Sequence, residues 1–275
     1  MLASFRNLNS VTSNTYMQYE PFFNFDGQHY KATQACRGPW DPKSLHGAVI
    51  VALLAFEIEQ QYLTEDYLPA RLTVDMHRLP DFSPIQVKTH LVRDGYRIKV
   101  VDAEFFSSDI SMARATCQLL RKTENSPSKV WSPPNWTVPL PDDITIPPDV
   151  PKYSGGSRRH VPISGSMGSY GQKQIWMSEQ RNLVNEDDLT PWLHVALLAD
   201  FANPFANSGD GSLGYINSDV TLYLHRLPVG EWLGMEVVNH QATDGVAIAE
   251  CCVYDLEGAI GTSSVTGLAQ KKNAD

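Results

Sequence analysis

The sequence predicts an α+β fold built twice: two long buried helices, each wrapped by a curved antiparallel sheet. Three observations lead there. First, the chain nearly repeats itself. Val51-Ala52-Leu53-Leu54-Ala55 recurs as Val195-Ala196-Leu197-Leu198-Ala199, His77-Arg78-Leu79-Pro80 as His225-Arg226-Leu227-Pro228, and Asp94-Gly95 as Asp244-Gly245. The pairs keep their order at separations of 144, 148 and 150 residues, as expected of two copies of one unit with small loop insertions. Second, each copy holds an apolar run with no polar face, the mark of a central helix. Third, alternating segments punctuated by turn signals follow each run, the mark of an antiparallel meander.

The first unit takes its helix from Leu45 to about Tyr62, in LHGAVIVALLAFEIEQQY. Strands follow over 70–79, where Leu72, Val74 and Met76 share a face, and over 85–93 and 96–107, which flank the two-residue hairpin signal Asp94-Gly95. A further strand covers 112–121. The second unit opens with a strand over 174–178. Its helix spans about 189–201, where Thr190-Pro191 fits a helix start. Strands over 216–227, 233–242, 246–254 and 260–268 complete it, turned by Asp244-Gly245 and Glu257-Gly258.

Between the units, residues 125–153 hold eight of the chain's eighteen prolines, a density that excludes helix and central strand. The units are therefore placed at 1–124 and 161–275, with a proline-rich linker over 125–160. Trp131 and Trp136 are expected to pin that linker to the body. The Ser/Gly-rich stretch 154–169 reads as a loop, and its SRRH cluster as solvated or as a phosphate contact.

With 275 residues the chain can bury a sizeable core. A net charge of -9 argues against a nucleic-acid backbone as partner but leaves room for a local basic patch. No apolar stretch is long enough for a transmembrane helix, and the N-terminus lacks a signal core. Cys36, Cys117, Cys251 and Cys252 show no metal-ligand spacing and read as reduced thiols of a cytoplasmic protein.

Several residues stand out chemically. His46-Gly47 opens the first helix, where unpaired N–H groups and the helix dipole suit a polarised carbonyl, and glycine admits close approach. Asp200 continues a buried apolar run, which is costly unless it is paired or used. Aligned on the VALLA runs, His46 and Gly47 stand opposite Thr190 and Pro191, and Phe56 opposite Asp200. Divergence of this kind fits one asymmetric site made by both halves. Trp40, just before the first helix, either lines an acyl pocket or staples its loop. The two His-Arg pairs fall in strands, where neighbours face opposite ways, and read as a shared structural feature of paired equivalent strands.

GPWDPKSLHGAVIVALL in the first half, and LADFANPF, YINSDVTLYLHRLPVGEWLG and YDLEGAIGTSS in the second, resemble the acyl-CoA thioesterase II (TesB-like) group of double hot-dog proteins. The resemblance spans about residues 20 to 268. It implies a tandem hot-dog fold and water attack on an acyl-CoA or acyl-carrier thioester, with no metal or organic cofactor. It also implies an aspartate, matched by Asp200, that works on the attacking water with a Thr or Ser and a Gln. This chain has Asn217 at the Thr position and Val265 or Thr266 at the Gln position. Asp200, Asn217, Thr266 and His46 are therefore the candidate catalytic residues, and Gly47 and Trp40 the candidate substrate contacts. The absent Gln keeps two alternatives open. One is a dehydratase, isomerase or cyclase of secondary or polyketide metabolism, and the other a non-catalytic acyl-binding protein. A fused dimer of this kind can stand alone or pair into a homo-oligomer through its sheet edges.

Overall fold

The computed structural model describes residues 19–39, 41–134, 136–145, 157–210 and 212–270. In chain order these form β1 (Phe23–Phe25), β2 (Tyr30–Ala32), α1 (Gly47–Tyr62), β3 (Tyr67–Met76), β4 (Ile85–Asp94), β5 (Ile98–Ser107) and β6 (Ile110–Arg121). The second half gives β7 (Arg158–Ser164), β8 (Gln174–Glu179), α2 (Pro191–Ala199), α3 (Ala202–Ala206), β9 (Tyr215–Asn217), β10 (Asp219–Leu224), β11 (Leu233–Thr243), β12 (Val246–Asp255) and β13 (Gly258–Ala269).

One continuous sheet runs β1-β2-β4-β5-β6-β3-β10-β13-β12-β11-β8-β7, with β9 added on β13. Read outward from the β3–β10 junction, the halves match: β3, β6, β5, β4 on one side and β10, β13, β12, β11 on the other. At the junction Leu72 pairs with Leu222, Thr73 with Thr221 and Val74 with Val220. Thr73 and Thr221 are 148 residues apart, the separation of the sequence repeat, and their hydroxyls meet at 3.3 Å. Buried Leu72, Val74, Val220 and Leu222 carry the core across the seam.

α1 lies across β3–β6 and alongside α2. Ala48 to Phe56 and Ile58 are all buried, as the apolar run without a polar face requires. The second helix is shorter than expected. It stops at Ala199, and a separate turn, α3, resumes at Ala202. Pro204 explains the break. It has no N–H to offer the Asp200 carbonyl four residues earlier, and its ring crowds that carbonyl. The carbonyl instead accepts the Asn203 N–H at 3.1 Å, a tighter turn that leaves Asp200 at a corner.

Other expectations need correction. The Ser/Gly-rich stretch is not all loop: β7 runs through it and pairs with β8, Arg158 opposite Glu179. Trp136 does pin its segment, stacked 4.1 Å from Tyr254 and packed against the bare face of Gly234, but Trp131 is 83% exposed. Asp244-Gly245 forms a two-residue turn with φ of 53° and 80°, whereas Asp94-Gly95 opens a longer loop closed by the Gly95 N–H on Ile98. The Tyr67 hydroxyl, donating to the Tyr96 carbonyl at 2.8 Å, holds that loop. The His-Arg pairs sit just past β3 and β10 rather than inside them. His77 donates its N–H to Met112 and His225 to Ile260, equivalent bonds in the two halves. Arg226 is engaged by the carboxylate of Asp255.

Candidate functional site

α1 and α2 run antiparallel in contact, so the start of α1 meets the end of α2. That meeting point opens into a cavity of about 840 Å³. Its wall comes from four places: the 35–39 loop and first turn of α1, the β7–β8 edge, the Asp200 corner with α3, and the 208–217 stretch.

The two helix starts are built differently. Thr190, the N-cap of α2, accepts the Leu193 N–H with its side chain at 3.2 Å. His46, the N-cap of α1, makes no such bond, and of the first-turn N–H groups that of Ala48 is turned to the Asp200 carboxyl. A Cβ placed on Gly47 would stand 2.8 Å from both carboxylate oxygens of Asp200. Glycine at 47 thus serves the approach of Asp200 from the other half. The two residues singled out by comparing the repeats are neighbours in space.

Asn217 completes the group. Its Nδ2 donates to Asp200 Oδ1 at 2.9 Å and to the Asp219 carbonyl at 3.2 Å. Burial pushes the Asp200 carboxyl above the usual carboxylate range, while the Asn217 bond, the Arg158 charge and the Ala48 N–H oppose the rise. Burial also lowers the His46 imidazole to about 3, helped by Arg158, against a bond to the Ala35 carbonyl that acts the other way. His46 is therefore neutral at physiological pH. It packs edge-on against Phe22.

The structure does not bring Thr266 here. Its hydroxyl bonds the carboxylate of Asp219 and lies 3.0 Å from the Ser218 hydroxyl, on the exposed face of β13. Val265, its neighbour, points into the core. The inward β13 side chain that does reach the end of α2 is Ser263, which donates to the Ala199 carbonyl at 2.8 Å. Trp40 lies outside the described residues, although Gly38 and Pro39 beside it line the cavity.

Sequence reasoning missed three charged residues of the wall, Arg37, Glu179 and Arg181, and gave Arg158 only within the SRRH cluster, as solvated or as a phosphate contact. Arg158 Nε bonds Glu179 Oε2 at 3.1 Å, and Glu179 Oε1 accepts the N–H groups of Gln180 and Arg181. Behind them buried His194 accepts the Glu179 N–H at 3.2 Å. The available signal was alternation: in SRRH one face carries Arg158 and His160, the other Arg159.

An antiparallel sheet packed on a buried helix, built twice in one chain, is a double hot-dog arrangement. The chain belongs to the acyl-CoA thioesterase family: the family's N-terminal domain matches residues 36–127 and its C-terminal domain residues 131–268. Three solved structures share the fold. A TesB protein of Mycobacterium avium subspecies paratuberculosis is 14% identical, with a TM-score of 0.67 over 90% of this chain and 96% of that one. Acyl-CoA thioesterase II TesB2 of Mycobacterium marinum is 16% identical, with a TM-score of 0.64 over 90% and 94%. A conserved hot-dog protein of unknown function from Alicyclobacillus acidocaldarius is 15% identical, with a TM-score of 0.69 over 91% and 96%. A comparison with curated proteins gives no match. Among the described residues no helix is long and apolar enough to cross a membrane.

Proposed function

We propose that this chain hydrolyses acyl thioesters of the acyl-CoA type by direct water attack. Asp200 is the base, and Asn217 fixes the carboxylate so that one oxygen faces the water. The first-turn N–H groups of α1 that Asp200 does not take stabilise the charge that develops on the thioester oxygen. Neutral His46, one ring nitrogen committed to Ala35, offers its other nitrogen as a hydrogen-bond acceptor rather than as a base. A carboxyl raised by burial is better matched to proton abstraction near neutrality than an ordinary one. Asn217, at the Thr position, meets Asp200, while Thr266, one of the two residues at the Gln position, is turned away to Asp219.

The observation that carries this reading is the contact of Asp200 with Gly47, made between two halves that differ at both positions. The test is thiol release from acetyl-, butyryl- and octanoyl-CoA by the native protein and by Asp200→Ala. Release that falls at least about 100-fold in the variant is expected, the scale on which a lost general base acts. Equal release by both proteins would overturn it.

A further inference from the structure

The SRRH segment, with no role in the hydrolysis above, is built into the cavity. Arg158 lies on the same face of β7 as His160 and lines the wall, while Arg159 turns outward to Glu231 and the Trp232 ring. The Arg158 side chain is only 20% exposed, and a single N–H, at Nε, is spent on Glu179. Its two terminal nitrogens make no hydrogen bond among the described residues, so the forked end of the guanidinium is available. Glu179 cannot respond further, because its other oxygen already takes two backbone N–H groups.

Two more arginines line the same cavity, Arg181 and Arg37. Arg181 is anchored through Nε to Ser157 Oγ at 3.3 Å and through the Glu20 carbonyl. Against these three cations stand two carboxylates, Glu179 and Asp200. The cavity is thus cationic in a chain of net charge -9. A concave, partly desolvated cationic wall attracts and orients an anion.

Two features say where that anion belongs on the substrate. Arg158 lines the same cavity as His46, Gly47 and Asp200, where the reading above puts the reacting carbonyl. The pantetheine arm of CoA holds the nucleotide phosphates far from that carbonyl. The cavity also stops at the helix ends: of α1 only Gly47 and Ala48 line it, and no residue of α2 before Asp200. It does not continue between the helices.

We propose that Arg158, with Arg181, forms a subsite for a carboxylate borne by the acyl group, so that the preferred substrates are short, acid-terminated acyl thioesters. This rests on the thioesterase reading for the orientation of the substrate. The test separates the two. S-(3-carboxypropyl)-CoA and S-butyl-CoA are thioethers that no thioesterase cleaves, and they differ only by the carboxylate. Calorimetric titration should show the acidic analogue binding about tenfold tighter or more, the scale of a charge-assisted bidentate contact. The preference should shrink about tenfold in Arg181→Gln and in Arg158→Lys, which keeps a charge beside Glu179 and so guards the fold. It should persist between the corresponding pantetheine thioethers, which carry no phosphates. If turnover is absent for every thioester but this preference holds, hydrolysis fails and the subsite stands. Equal binding of the two CoA thioethers overturns the subsite. So does a loss in the arginine variants that is equal for both CoA thioethers and absent for pantetheine, which would place a phosphate there instead.

Discussion

Gly47→Ala is the sharpest probe of the site, because it adds one methyl and no charge. The new Cβ would lie 2.8 Å from both Asp200 oxygens, where ordinary contact begins near 3.4 Å, so about 0.6 Å of separation must be found. α1 cannot yield, since its buried residues are packed on all sides. The Asp200 carboxylate must move, and with it the bond from Asn217. A sub-ångström displacement of a reacting group costs up to about 100-fold in rate. Stability has two opposing parts. Alanine in place of glycine in a helix contributes roughly 0.5–1 kcal/mol, and overpacking costs about 1–3 kcal/mol. In an Asp200→Ala background the second part vanishes. Gly47→Ala should therefore lower or barely change the melting temperature of the native protein, yet raise that of Asp200→Ala. Thiol-release kinetics on the single variant and thermal unfolding of all four proteins read this out. Full activity in Gly47→Ala, or the same stability change in both backgrounds, would refute the Asp200–Gly47 contact as the basis of the site.

Four further outcomes follow from the same geometry. Asp200→Asn should abolish turnover while raising the melting temperature at pH 7. A carboxyl raised in the folded state makes the protein less stable as pH climbs through its folded value, and the amide removes that penalty, a gain of roughly 2–4 °C for each kcal/mol. In wild type, the acid limb of kcat/KM should fall above the usual carboxylate range, and Asn217→Ala, which deletes a bond favouring the charged form, should move it to higher pH. His194, lowered by burial to about 4, should make the protein lose stability as pH falls from 6.5 toward that value, by up to about 1.4 kcal/mol per pH unit. His194→Gln keeps an acceptor for the Glu179 N–H and should flatten the slope of unfolding free energy against pH. Pro204→Ala should let α2 run on through Asp200, costing activity with little loss of fold, measured by kcat/KM beside thermal unfolding.

The scaffold was legible where one residue pattern had one physical solution. An apolar run with no polar face has to be a central helix, and α1 is one. The repeat located the seam so closely that Thr73 and Thr221 face each other across it. Legibility failed where the deciding partner was remote in sequence. Pro204 ended α2, but its effect lies four residues back, inside an otherwise perfect apolar run. Arg158 read as loop because its strand pairs only with the short β8, and nothing local reports Glu179. Thr266 was placed by the family resemblance, as an alternative to Val265, and strand alternation turned its hydroxyl outward to Asp219. Asp200 and Gly47 were found from sequence because the repeat supplied the comparison that one copy lacks.

The same comparison accounts for there being one working helix end and not two. Antiparallel helices in contact create two such ends, and the second joins the start of α2 to the close of α1. There Thr190 spends its hydroxyl twice, accepting from Leu193 and donating to Glu59 Oε1 at 2.7 Å. Pro191 removes the first-turn donor that Gly47 keeps. Glu59 is raised by burial, as Asp200 is, so an acid again sits by a helix start. Yet the donors a thioester oxygen would need are already capped or missing. What separates the two ends is therefore not a nearby carboxyl group, which both have, but the helix start without a cap from its own side chain and the glycine that lets the carboxyl reach it.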